Sequence, residues 1–364
     1  MTLSLLLGLT ANAQETLTLQ QVKERALAHN INIRTADNAI LQAREQKKEA
    51  QTLYFPQVSA VGMGFKSTTE LIKGDIKVAD LLPSSLAAAI PSSIASMLPS
   101  NISYGMIDKG VRAIQPIFAG GQIGNGNKLA KVGVEVSELQ KRVSANTVEL
   151  TAEQYYWQII SLKEKQKTLE TVGEMLKNLE KDAAAAVKAG VGMRNDLLEV
   201  QLKQNEIESN KLKLENGLKL ARMALAQYIG TEGGIDVSTT IDASALPAYP
   251  MIKVDHSTAV AATSEYQLLQ KNVDATSLQR KMEEGKRLPT VGVGVGYNYM
   301  NMGSGIKNNF GAVFATVTIP ISQWWSGLYA IKRKKLAEEN ARQQLTDNAQ
   351  LLEIRMHKNW NDVD

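Results

Sequence analysis

The chain has no cysteine among its 364 residues, which excludes disulfide staples, thiolate metal sites and cysteine nucleophiles. It also has no run of about 18 apolar residues, so no membrane-spanning helix is encoded. Histidine is almost missing: His29, His256 and His357 are all there are, and no His-x-x-x-His or related ligand spacing occurs. No single sign of charge prevails. The 41 basic and 37 acidic residues are interspersed, for a net +4, which argues against a dedicated nucleic-acid surface. The only tight basic run, Lys332-Arg333-Lys334-Lys335, lies in a helical pattern with no aromatic residues interleaved, and reads as a solvated helix face. Gly292-x-Gly294-x-Gly296 sits inside a strand pattern with no helix after it, so it is not a dinucleotide loop. The twelve methionines are scattered. Composition and spacing thus point to no catalytic, cofactor or metal-ligating set.

What is present is a repeat. Tyr54-Phe55-Pro56-Gln57-Val58 is answered by Arg287-Leu288-Pro289-Thr290-Val291, and the two prolines are 233 residues apart (289 − 56). Gln115-Pro116-Ile117-Phe118 is answered by Ile319-Pro320-Ile321-Ser322. Each half reads helix, strand, strand, long helix, an uncommon order that predicts an internal two-fold repeat.

The start resembles an export signal: Leu3–Leu9 is a short apolar core and Ala11-Asn12-Ala13 a small-x-small cleavage site, so 1–13 is read as a signal peptide. The first repeat is read over 14–229. Thr18-Leu19-Gln20-Gln21 is a capping box opening a helix to about Leu53, with a seam of Val22, Ala26, His29, Ile33, Ala36, Ile40 and Ala43. Strands follow at 56–65 and 102–115, separated by a Pro-, Ser- and Ala-rich insertion over 66–101. A long helical hairpin over 121–229 comes next. Its first arm is some 68 residues, roughly 100 Å at 1.5 Å per residue, more than a globular core uses. The hairpin turns at Ala189-Gly190-Val191-Gly192, with Asn195 or Asp196 starting the return helix. Its seam runs Leu197, Val200, Gln204, Ile207, Lys211, Leu214, Leu218, Ala221, Leu225, Tyr228, with polar residues at two positions that suggest water and neighbours. A linker covers 230–252. The second repeat, 253–364, has a helix, strands at 291–300 and 309–319, and a long helix still running at Asp364. By analogy with the first half, that helix and its return would end near residue ~432, so the chain is expected to be a fragment lacking its second tip.

The strand at 291–300 alternates Val291, Val293, Val295, Tyr297 and Tyr299 with Gly292, Gly294, Gly296 and Asn298, and neither face carries charge. Strands of about ten residues with an apolar outer face and a small or polar inner one suit a membrane β-barrel. In lipid every backbone group must pair, so the sheet must close, and four strands are too few when about eight make the smallest barrels. Several protomers must therefore share one barrel. Tyr54, Phe55, Phe118, Trp324 and Trp325 fall at helix–strand junctions, where amphipathic rings suit a membrane interface and also suit packing where helices meet strands.

These features resemble the TolC-type outer-membrane efflux family over nearly the whole mature chain. The resemblance rests on Leu17-Thr18-Leu19 with Ala26 through Asn30, both Pro-x-Val strand starts, Gln115-Pro116-Ile117-Phe118-Ala119-Gly120-Gly121, and the tip Ala189 to Leu198. It implies an α+β membrane protein: a homotrimer in which each protomer gives four strands to one outer-membrane barrel and long antiparallel hairpins to a periplasmic α-barrel. It implies a passive exit duct partnered by a periplasmic adaptor and an inner-membrane pump, set in outer-membrane lipid, with no nucleic acid, cofactor, metal or catalytic residue. Val191-Gly192-Met193 resembles the family's Val-Gly-Leu motif, which assigns Gly190, Val191, Gly192, Met193, Arg194 and Asp196 to adaptor docking. The competing reading is a periplasmic coiled-coil adaptor or structural protein, which would carry compact domains around one hairpin rather than duplicated strand pairs.

Overall fold

A computed structural model describes residues 15–66, 105–232, 234–238, 256–301 and 307–362. The leader read at 1–13, the insertion after Lys66 and most of the 230–252 linker lie outside the described residues. In chain order the elements are β1 (Glu15–Leu17), α1 (Leu19–His29), α2 (Ile31–Thr52), β2 (Gln57–Lys66), β3 (Gly105–Ala119), α3 (Gln122–Lys188), α4 (Arg194–Tyr228), β4 (Ile235–Val237), α5 (His256–Ala262), α6 (Ser264–Gly285), β5 (Thr290–Asn301), β6 (Lys307–Thr318) and α7 (Gln323–Asn361). They fall into two compact units, 1–42 with 136–268 and 351–364, and 43–135 with 269–350.

In the first unit α1 begins with the capping box read from sequence. Thr18 Oγ1 accepts from the Gln21 N–H at 3.3 Å and Gln21 Oε1 accepts from the Thr18 N–H at 2.9 Å. The single helix expected to run to Leu53 is instead two. Asn30 turns extended (φ −63°, ψ 136°). Its Oδ1 accepts from the Asn32 N–H at 2.9 Å and its Nδ2 donates to the Tyr228 carbonyl at 3.3 Å. A short amide side chain competes with the helix ladder for backbone groups, and here it both starts α2 and ties it to the end of α4. Asn30 is buried while His29 is exposed, so the seam position expected for His29 belongs to its neighbour. A second break separates α5 from α6 at Thr263, whose hydroxyl donates to the Val260 carbonyl and accepts from the Tyr266 N–H.

The core of this unit brings Leu17, Val22, Ala26 and Ile33 against Val148, Ala152, Tyr156 and Ile159 of α3 and Leu218, Ala221 and Leu225 of α4. The segment read as linker holds β4, which pairs in parallel with β1 and buries Ile235 and Val237. Asp236, between those two, takes Lys163 at 2.9 Å and Arg222 at 3.0 Å. Tyr156 Oη donates to the Ser238 carbonyl at 2.7 Å.

In the second unit β2, β3, β5 and β6 form an antiparallel sheet in that spatial order. Register runs Gln57↔Ile114, Ile114↔Gly294 and Gly294↔Phe314. Because β2 and β5 begin where β3 and β6 end, helices α2, α3, α6 and α7 all join the sheet at one end. Side-chain amides tie these junctions: Gln115 Nε2 donates to the Tyr54 carbonyl at 2.9 Å and Asn127 Nδ2 to the Ala50 carbonyl at 2.8 Å. Buried Glu338 of α7 holds Arg280 of α6 at 2.7 Å and Arg342 at 2.9 Å, while Arg280 also pairs with Glu284.

Two outcomes follow from the first unit. Asn30→Ala removes a cap and leaves the Tyr228 carbonyl without its donor, and should cost about 1–3 kcal/mol in thermal unfolding, with Asn30→Asp losing less because it keeps the cap. Burial pushes the Asp236 pKa up, but hydrogen bonds from Lys163 and the Val237 N–H and the charges of Arg222 and Lys163 outweigh it, leaving it below the ordinary carboxylate value. A depressed pKa gives stability that is present above the unfolded value of about 4 and lost as pH falls through the folded one. Asp236→Asn should therefore flatten the acid limb of the stability–pH curve while leaving the neutral-to-alkaline slope unchanged.

Candidate functional site

The two faces of the four-stranded sheet differ in chemistry. Register places Val58, Val111, Val295, Tyr297, Val313 and Val317 on one face, and these are 70, 53, 55, 62, 85 and 63% exposed. The charged residues on this face are Lys109, which lies 5.0 Å from the centre of the Tyr299 ring, and, by register, Lys66 and Lys307 at the sheet end away from the helices. The opposite face carries Ser59, Asp108, Arg112, Asn298 and Thr316 among its residues. Arg112 Nη2 meets Asp108 Oδ2 at 3.2 Å, and its Nε donates to Asn298 Oδ1 at 3.4 Å. Asn298 is buried because it lies across Gly110. This cluster is not legible from the alternation of β5 alone. The signal was there in β3: Asp108 and Arg112 are an even number of residues apart and so share a face.

Pro116 lies in a central strand, where a missing N–H would break the ladder. The chain accommodates it with a bulge: Pro116 pairs with Gly292, Ile117 is skipped, and Phe118 pairs with Val291. The bulge returns Phe118 to the apolar face of Val291. Tyr54, Phe55, Phe118, Trp324 and Trp325 are all 46–63% exposed and stand at the sheet end where the helices enter. Trp324 is fixed by a reciprocal pair: its Nε1 donates to the Arg287 carbonyl at 3.2 Å, and Arg287 Nη2 donates to the Trp324 carbonyl at 3.1 Å. Both edge strands, β2 and β6, have one side without a strand partner among the described residues.

The other candidate surface is the turn between α3 and α4. Gly190 is left-handed (φ 78°) and closes α3: its N–H bonds the Val187 carbonyl at 3.1 Å, and the Val191 and Gly192 N–H groups bond the Ala186 carbonyl at 3.0 and 3.1 Å. This is the usual glycine-terminated helix end. A Cβ on Gly192 would stand 3.0 Å from Ala186 Cβ and 3.1 Å from the Val187 nitrogen. Both glycines are therefore held by the turn itself. Val191 and Met193 are free of it, at 84 and 71% exposure. Asp196, expected as the N-cap of α4, is instead in the first turn. The cap is Met193, which offers no side-chain bond, and the Asp196 N–H bonds the Met193 carbonyl at 3.1 Å. Asp196 thus acts through its charge at a positive helix end. Arg194 and Asp196 are exposed.

Behind the turn the hairpin seam is polar, as its residues suggest. Gln201 donates to Glu180 at 2.9 Å, Gln204 donates to the Leu176 carbonyl at 3.1 Å, and Lys211 lies over Gly173. Gly190→Val forces a β-branched residue into the left-handed region and should cost about 1–3 kcal/mol in thermal unfolding, whereas Val191→Asp should stay within about 0.5 kcal/mol of the unaltered chain.

No family model and no curated protein sequence matches the chain. Solved structures do. The outer membrane protein VceC from Vibrio cholerae superposes with a TM-score of 0.67 at 12% identity, over 91% of this chain and 75% of that one. CusC, solved in a study of folding and transmembrane channel formation, gives 0.70 at 14% identity over 98% and 80%. The outer-membrane channel OprN gives 0.72 at 14% identity over 94% and 73%. The chain has the fold of the TolC-like outer-membrane channels, the family its sequence resembles.

Proposed function

We propose that this chain is the outer-membrane exit duct of a tripartite efflux or type I secretion system, acting as a homotrimer. The observation that carries this reading is the open sheet: four strands, an uncharged exposed face of Val, Ala, Gly and Tyr over most of its length, and two edges with no strand partner among the described residues. Twelve residues of β5, tilted about 45°, rise roughly 28 Å, the height of an outer-membrane apolar band. Two copies would make a barrel that side chains fill; three copies, joined β2 to β6, make twelve strands and leave a lumen. The face of Asp108, Arg112 and Asn298 then lines the passage and the valine face meets lipid.

The aromatic residues at the helix end of the sheet suit the periplasmic membrane interface, and the helices leaving from that end build the tunnel. An internal repeat is supported by the two helix breaks: Asn30 and Thr263 are 233 residues apart (263 − 30), the same spacing as Pro56 and Pro289. At the hairpin turn, Val191 and Met193 are the residues free to enter an adaptor's apolar contact, with Arg194 and Asp196 flanking them and Gly190 and Gly192 shaping the turn. The duct adds no energy. The pump and the adaptor supply it. A coiled-coil adaptor has no use for a sheet with an exposed apolar face, and that alternative is set aside.

The reading is tested by two measurements. Outer membranes extracted in mild detergent should yield a particle of three chains; a monomer, or a chain in the soluble periplasm, would contradict it. Val313→Arg, on the lipid face, should cost about 2–4 kcal/mol and deplete the trimer from the membrane, while Ala312→Arg, one residue away on the lumen face, should insert normally. Equal behaviour of the two variants would reverse or abolish the assigned faces.

A further inference from the structure

The helices that enter the sheet carry a charge distribution that the duct reading leaves unused. The stretches 43–56, 120–132, 277–289 and 320–335 contain thirteen Lys and Arg, four Glu and no Asp. That is an excess of nine positive charges in a chain whose whole balance is +4. Antiparallel register brings all four stretches to the same end of one sheet.

The excess is concentrated on α7. Trp325, Tyr329 and Arg333 recur at four-residue intervals and so stack along one helix face. Leu328, Lys332 and Lys335 lie beside them. Trp325 and Tyr329 are 61 and 79% exposed. Lys332, Arg333 and Lys335 are exposed and make no ion pair among the described residues, while Lys334 is engaged by Gln279 at 2.8 Å. The basic run therefore does have aromatic company, one and two turns ahead on its own face, where contiguous sequence shows none. Lys332 stands about 10–12 Å along the helix from the Trp324–Trp325 pair. Aromatic rings at the edge of the hydrocarbon and basic side chains one headgroup layer further out form the pattern of a surface that grips anionic lipid.

We infer that this basic collar binds the anionic phospholipid headgroups of the periplasmic leaflet, phosphatidylglycerol above all, and so fixes the depth and tilt of the barrel. The inference rests on the proposed membrane placement, but the two fail differently. If the chain is not a trimer from the outer membrane, the placement fails; if it is, and shows no lipid preference, only the collar fails.

The test uses the full chain as solubilised trimer, equilibrated with equimolar phosphatidylglycerol and phosphatidylcholine, with retained lipid extracted and quantified. Phosphatidylglycerol should be enriched roughly tenfold, and the enrichment should fall towards one in high salt and in Lys332→Gln/Arg333→Gln/Lys335→Gln. Glutamine keeps helix propensity, so trimer size and helix content should be unchanged. Enrichment near one in the unaltered chain, or enrichment that survives the triple substitution, would overturn the inference. So would equal retention of a soluble polyanion such as heparin, which would make the collar a general anion surface.

Discussion

The structure depends on one constraint: backbone N–H and C=O groups along a strand need partners, and among the described residues the two outer strands of this sheet lack them on one side. In water such an edge is a liability that proteins blunt with charge, proline or a covering helix. Here β2 runs Val58-Ser59-Ala60-Val61-Gly62-Met63 and β6 runs Phe310-Gly311-Ala312-Val313-Phe314 through their middles, and the charge on each edge is one terminal lysine, Lys66 or Lys307, at the sheet end away from the helices. In the proposed duct, an edge left this open, on a sheet whose face is largely valine and tyrosine, is met by the edge of another copy. On that reading oligomerisation, the lumen and the membrane position are one requirement.

The two units meet their own requirements differently. The first is held by an ordinary apolar core, pinned by Asp236 and by the amide of Asn30. In the second, a buried carboxylate between two arginines joins α6 to α7 where few large apolar residues are buried. The hairpin turn separates shape from contact: Gly190 and Gly192 are spoken for by backbone geometry, while Val191 and Met193 have no structural duty. A bulky residue at Gly192 would strain the last turn of α3, so docking is better interrogated at the two exposed side chains.

Much of this was legible from residue order. The period of two in β5, the prolines ending α2 and α6, the glycines at the turn and the capping box at Thr18 are local signals with local causes. The helix breaks were not legible, because Asn30 and Thr263 interrupt patterns that otherwise continue to read as helix, and the reward for breaking at Asn30 is a carbonyl nearly two hundred residues away. The β1–β4 pair was hidden for the same reason: three-residue strands carry no periodicity of their own. The heptad count passes over His29, but the extended backbone at Asn30 shifts that count by one and buries Asn30 instead. The aromatic company of the basic run is not visible in contiguous sequence because Trp325 and Tyr329 meet it around the helix, at four-residue spacing.

The central claim is that β2 of one copy pairs with β6 of the next. The absence of cysteine makes it directly measurable. Single cysteines placed in turn along β2 from Val58 to Met63, each combined with Ala315→Cys on β6, should form disulfides between copies at one or two registers and give a covalent trimer on a denaturing gel. Disulfides within one chain, or none between copies at any register, would contradict the shared barrel.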